Sequence, residues 1–145
     1  MPEEDVSSWV NVYIAGNCNI NDPCYWKINV SSGIKERIIL PSVQSNSEAL
    51  SIFVTQKGVY VAGKDDNKAV YWLNGEKIVL PSSGTSSANS IFVYNDDVYI
   101  CGVDTNSSSN KVAVYWKNGT RNELSSNSSS ANSIFVYNDD VYICG

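Results

Sequence analysis

Histidine is absent from all 145 residues. That absence removes Ser/His/Asp and Cys/His triads, histidine-ligated zinc and every proton transfer through an imidazole. Basic residues are also scarce: ten Lys and Arg stand against fifteen Asp and Glu, a formal charge of −5. Affinity for nucleic acid comes largely from Lys and Arg neutralising phosphates, so no nucleic-acid partner is expected. No stretch approaches the ~18 apolar residues a membrane span needs, and no membrane insertion is expected. The opening Met1-Pro2-Glu3-Glu4-Asp5 lacks the basic and apolar regions of a signal peptide. Four cysteines are an even number, but their spacings match no zinc knuckle. Sequons at Asn29, Asn106, Asn118 and Asn127 are what chance supplies in a chain rich in Asn and Ser. What is plentiful is apolar residues at 43 % and aromatics at 11 %, the composition of a folded chain long enough for one domain.

Internal repetition organises the sequence. Residues 86–102 read SSANSIFVYNDDVYICG, and residues 129–145 repeat those seventeen letters 43 positions later. A diverged copy runs from Ala49-Leu50-Ser51-Ile52-Phe53-Val54 to Val59-Tyr60-Val61-Ala62-Gly63, and Val12-Tyr13-Ile14-Ala15-Gly16 begins the series. Between these lie Cys24-Tyr25-Trp26, Val70-Tyr71-Trp72 and Val114-Tyr115-Trp116, then Arg37-Ile38-Ile39-Leu40, Lys77-Ile78-Val79-Leu80 and Arg121-Asn122-Glu123-Leu124. Each phrase is short, rich in Val, Ile, Tyr, Phe and Trp, and bounded by Gly, Asn, Asp or Ser, which predicts strands. No 3.6-residue period is sustained, so no helix is expected. The unit is four strands: SIFV, VYxxG, xVYW and xIVL. Boundaries fall at a lead-in over 1–11 and a repeat domain over 12–145, with approximate repeats 12–50, 51–89, 90–132 and a partial 133–145.

Some spacings are constant and others are not. The serine of SIFV precedes the first valine of VYxxG by eight residues in all three copies. Asn74-Gly75 and Asn118-Gly119 join the third strand to the fourth with the dipeptide of a type I′ turn. By contrast, the glycine of VYxxG precedes the tryptophan by 10, 9 and 14 residues, and the connectors from fourth to first strand also vary. The first repeat also lengthens its third-to-fourth turn. In an up-and-down unit most of the length variation falls on one edge, where binding loops usually sit.

A four-stranded antiparallel repeat near 43 residues suits a β-propeller blade, and also one lobe of a β-trefoil monomer. Strands that are apolar throughout favour blades, which are covered on both faces. The phrases VYxxG, VYWKNG and ANSIFV resemble the tandem β-propeller repeats of uncharacterised, often exported bacterial proteins. This resemblance spans nearly everything after Asp5. It implies an all-β propeller fold and leans towards an extracytoplasmic place, and it says little about activity. Four VYxxG strands against three of each other kind make about three and a half blades, too few to close a ring of four to eight. The expectation is therefore a homodimer, the Ser133–Gly145 hairpin of one chain completing the sheet begun by the Tyr13 strand of another. The alternative is a piece of a longer array.

Among candidate site residues, Trp26, Trp72 and Trp116 recur at one repeat position and are expected to pack between blades, with sugar stacking as the rival reading. Trp9 lies outside the repeats, as a plug or an edge residue. Asp96-Asp97 and Asp139-Asp140 sit in tight hairpins and read as turn residues; the older copy has Lys57-Gly58 there, which argues against metal. Cys101 and Cys144 replace Ala15 and Ala62 and read as small buried side chains. Cys18 and Cys24 flank Asn19–Pro23, and either a bridge closes that loop in an oxidising compartment or Cys24 is a buried thiol. The segments after VYxxG are read as polar loops forming a ligand-binding rim: Asn17, Asn19 and Asp22; Asp65, Asp66 and Asn67; Asp104, Asn106 and Asn110. The expectation is a non-enzymatic binding scaffold for carbohydrate or protein, without cofactor or metal. A carboxylate-based glycosidase and a ligand-free structural fragment are the alternatives.

Overall fold

The computed structural model describes residues 10–43 and 45–145; the acidic opening, Trp9 and most of the lead-in lie outside these. The fold is all-β: among the described residues thirteen strands form four antiparallel sheets of two to four strands, none closed or curled. The first sheet holds β1 (Asn11–Asn19), β2 (Asp22–Asn29) and β3 (Lys35–Ile39). The second holds β4 (Glu48–Thr55), β5 (Gly58–Asp65), β6 (Lys68–Leu73) and β7 (Glu76–Val79). The third holds β8 (Ser86–Tyr94), β9 (Asp97–Thr105), β10 (Lys111–Lys117) and β11 (Thr120–Glu123). The last is the hairpin β12 (Ser133–Tyr137) and β13 (Asp140–Cys144). The tally by repeat position is the one the sequence predicts, with four VYxxG strands (β1, β5, β9, β13) and three of each other kind.

Chain order within each sheet is simply up and down, and the turns follow from residues that tolerate positive φ. Asn74-Gly75 (φ 51°, 86°) and Asn118-Gly119 (φ 49°, 81°) turn as type I′, as do Asn95-Asp96 (φ 50°, 68°) and Asn138-Asp139 (φ 49°, 67°). The first strand of the second and third sheets carries a bulge, between Ala49 and Ser51 and between Ala88 and Ser90. This bulge accounts for the glycine of VYxxG. A Cβ on Gly63 would collide with the carbonyl of Glu48, and one on Gly102 with that of Ser87.

Sheets pack face on face in sequence order. Because side chains alternate across a strand, each unit offers two chemically different faces. Tyr60, Ala62, Ala69 and Tyr71 meet Ile91, Ile100, Val114 and Trp116 of the third sheet. On the reverse side, Val61, Val70 and Trp72 meet Ala15, Tyr25 and Leu40 of the first. Tyr99, Cys101, Ala113 and Tyr115 meet Ala131, Ile134, Val136 and Ile143 of the last hairpin. Trp72 and Trp116 are fully buried, and each indole N–H donates to a carbonyl in the connector before its sheet, Pro41 and Pro81, both at 2.8 Å. These two tryptophans pack between sheets.

The first strand of each later sheet carries its contact with the sheet before it, reaching second and third strands as well as first ones. Phe53, Phe92 and Phe135 form a ladder with ring centroids 4.7 and 4.8 Å apart. Beside it, the Ile91 amide donates to Ser51 Oγ at 3.1 Å and the Ile134 amide to Ser90 Oγ at 3.3 Å. Fourth strands pack mainly on the third strand of their own sheet. The stack therefore converges along its first strands.

Candidate functional site

The edge carrying the second-to-third turns and the connectors between sheets differs from its opposite. On the opposite edge the first-to-second turns are two residues long in all three hairpins. On the variable edge the turns comprise Ile20-Asn21, Asp66-Asn67 and the five residues 106–110. The strands continue past the VYxxG glycine, so Asn17, Asn19, Asp65 and Asp104 are strand residues and the loops are shorter than the sequence suggests.

Two of these strand extensions carry buried carboxylates. Asp104 is fully buried; its carboxylate accepts the Ser83 amide at 2.9 Å, the Gly84 amide at 3.2 Å and Arg121 Nε at 2.7 Å. Asp65 is buried likewise, accepting the Val43 amide at 3.0 Å, Ser47 Oγ at 2.5 Å and Lys77 Nζ at 2.6 Å. Each aspartate ties its own sheet's second and fourth strands to the connector that enters that sheet. Burial pushes the Asp65 carboxyl up, but hydrogen bonds from Lys77, Ser47 and Val43 and the ammonium charge outweigh it and hold the group below its ordinary value. Buried Ser86 completes the third-sheet connector by accepting the Ala69 amide at 2.8 Å.

The first sheet departs from this plan. Cys18 stands at the repeat position of Asp65 and Asp104, six residues after the first valine of VYxxG. It forms a disulfide with Cys24, Cα to Cα 5.9 Å, closing the segment the sequence marked for a bridge. Arg37 pairs in register with Trp26, as Lys77 does with Trp72 and Arg121 with Trp116, yet it is exposed. A covalent link between strands two and three thus stands where the other sheets carry an ion pair between strands two and four.

The rim residues lie on one edge without converging on a single point. Asp65 and Asp104 turn inward, their oxygens engaged by the connectors and by Lys77 and Arg121. Asn17 accepts the Ala49 amide at 3.2 Å, and Asn19 donates to Asp22 at 3.2 Å. Asn67 accepts from Asn46 at 2.7 Å, beside the exposed Asp66. Asn106 folds its own loop, accepting the amides of Ser108 and Asn110 at 3.0 Å each, and leaves Ser107–Asn110 exposed. Among the described residues no group of three or more His, Cys, Asp or Glu is placed to hold a metal. Concave surface occurs elsewhere, notably a cavity of about 400 Å³ on the last hairpin lined by Phe135, Tyr142 and Cys144.

Carboxylates on the opposite edge diverge. Asp96 pairs with Lys57 at 2.8 Å, while Asp97 accepts the Asn118 amide at 2.8 Å and faces Lys117 at 3.4 Å. The Asn118 bond, with Lys117 and Tyr99, outweighs desolvation and lowers the Asp97 carboxyl. Asp96 therefore belongs to turn and inter-sheet chemistry. Cys101 is buried and its thiol is pushed up to about 12 by burial and by the neighbouring Cys144. Cys144 is exposed, contrary to its reading as a buried side chain, because no sheet covers its face.

Sequence reasoning missed the recurring clamp. Its signal was present: Asp stands two residues after the VYxxG glycine, and Lys or Arg stands five after the tryptophan, in both complete repeats. No family model matches the chain, and no curated protein matches it.

Proposed function

We propose that the chain is an array of β-propeller-type blades that acts as a non-enzymatic binding scaffold, with the variable edge as its contact surface. The supporting observation is that most of the length variation, in the turn 106–110 and the connectors between sheets, falls on that edge, with the 30–34 turn of the first sheet as the exception on the other, above a buried frame of Asp65–Lys77 and Asp104–Arg121. A stack that converges along its first strands is a set of wedges, and wedges added in one direction turn towards a ring. The four-stranded sheets carry apolar residues on both faces, as blades must. With both buried carboxylates held by cations, the scaffold reading is favoured over a glycosidase, which needs two available carboxyls ~5–9 Å apart.

An exposed rim of Asn, Ser and Asp offers donors and acceptors suited to sugar hydroxyls or peptide backbone. The test is a glycan array and a peptide display panel probed with the wild type and with a variant whose loop 106–110 is replaced by the two-residue turn Asp-Asn. Binding by the wild type that the variant loses, with an unchanged circular dichroism spectrum, supports the reading. Absence of any ligand, or binding indifferent to the loop, refutes it. Hydrolysis of chromogenic glycosides by the wild type would refute it too.

A further inference from the structure

We propose that Asn74 and Asn118 are self-modification sites, each convertible to aspartate or isoaspartate through attack by the next glycine's nitrogen, and that hydrogen bonds between the two turns of each four-stranded sheet hold this reaction back. The inference stands apart from the binding reading, since both residues lie on the edge opposite the variable one.

Reactivity singles out these two residues. Residues 74–75 and 118–119 are the two Asn-Gly pairs of the sequence. A glycine nitrogen reaches the preceding carboxamide carbon readily because no side chain of its own shields it. The nitrogen bonds to Cγ as its proton passes to water, the Cγ–Nδ2 bond breaks, and ammonia leaves. Water then opens the cyclic imide at one of its two carbonyls, giving the normal or the iso linkage. The net change is one water consumed, one ammonia released and one negative charge gained, with no oxidant or reductant. Space for that water exists at both turns, since nothing stands within 4 Å of a Cβ placed on Gly75 or Gly119.

The fold grips the same carboxamides. Asn74 Oδ1 accepts the Val59 amide at 3.0 Å, and its Nδ2 donates to the Lys57 carbonyl at 3.2 Å. Asn118 Oδ1 accepts the Val98 amide at 2.8 Å, and its Nδ2 donates to the Asp97 carboxylate at 2.8 Å. Their own backbone amides donate across as well, to the carbonyls of Val59 at 3.0 Å and Val98 at 2.9 Å. A carboxamide held at both ends by the neighbouring hairpin cannot swing back onto the glycine nitrogen, so reaction waits for the turn to open. One difference separates the sites: the amide nitrogen of Asn118 is held by a side chain, that of Asn74 by main chain. Conversion at 118 would also set a second carboxylate against Asp97, and like charges there loosen the turn that had restrained the reaction.

The test incubates the full chain at mildly alkaline pH, native and in guanidinium chloride, and follows acid formation at each site by mass spectrometry of digested peptides. Circular dichroism checks that each native sample is folded. Both sites of the wild type should convert about tenfold or more slowly when native than when denatured. Asp97→Ala should speed native conversion of Asn118 about threefold or more relative to Asn74 in the same molecules, a ratio that cancels any change in global stability. Asp97→Asn keeps an acceptor oxygen and should restore the wild-type ratio. Equal native and denatured rates overturn the proposal, and so do sites that stay intact when denatured. An Asp97→Ala variant with an unchanged ratio overturns it too, because the cross-turn bonds would then not restrain the reaction.

Discussion

Replacing Asp104 with alanine isolates the clamp. The substitution removes the acceptor for two backbone amides and for Arg121 Nε, and leaves a guanidinium that is only one-fifth exposed. Breaking a buried pair from one side costs about 3–5 kcal/mol. Two features of this site reduce the loss: Glu123 also accepts from Arg121 at 3.2 Å, and water reaches the exposed fifth of the side chain. We expect about 2–4 kcal/mol, a large fraction of the ~5–15 kcal/mol that holds a domain together. Urea unfolding followed by tryptophan fluorescence reads this directly, since Trp116 lies in the same sheet and is fully buried. Asp104→Ala with Arg121→Ala should recover part of the loss, because the stranded charge goes with its partner. The exposed Lys57–Asp96 pair is the control, and Lys57→Ala should leave the unfolding midpoint where it is. If Asp104→Ala unfolds at the wild-type midpoint, the clamp is not a structural device and the aspartate is free for a ligand.

Three further outcomes follow from the same geometry. Asp65 has a folded-state pKa below its ordinary value of 3.8, so its contribution is fully present above about pH 4 and fades as pH falls through the lower folded value. Acid titration should therefore show a stability loss below pH 4 that Asp65→Asn lacks, and equal slopes would dismiss the assignment. Gly102→Ala should cost about 1–3 kcal/mol or more against the Ser87 carbonyl, whereas Gly16→Ala, which meets only the edge of Trp26 at 3.1 Å, should cost less. Thermal melts of the two variants compare them, and equal losses would detach the glycine from the bulge. Unfolding without reductant should expose two titratable thiols and, after reduction, four; cleaving the Cys18–Cys24 bridge should lower stability by about 2 kcal/mol.

Strands and turns were legible because their causes are local. Asn-Gly and Asn-Asp pairs specify positive φ wherever they stand, and the phrases SIFV and VYxxG specify pairing by a spacing of eight. Trp72 and Trp116 could be placed between sheets from recurrence alone. The side chains of Asp65 and Asp104 could not, since an aspartate in a polar stretch looks the same whether it faces water or two backbone amides and a cation. Only aligning the repeats with the fourth-strand Lys77 and Arg121 exposes the pairing. Cys144 failed for another reason: it shares seventeen letters of context with Cys101, and only the presence of a covering sheet distinguishes them. Burial there is a property of the neighbour and not of the residue.

The clamp reaches the connectors chiefly through main-chain amides, Val43 in one case and Ser83 and Gly84 in the other. An amide proton is the same whatever side chain follows it, proline alone excepted. Most connector positions on the variable edge can therefore change identity without loosening the sheet beneath. Mutational drift there is uncoupled from folding, so a library randomised over 106–110 and the exposed connector residues should retain a high fraction of folded members.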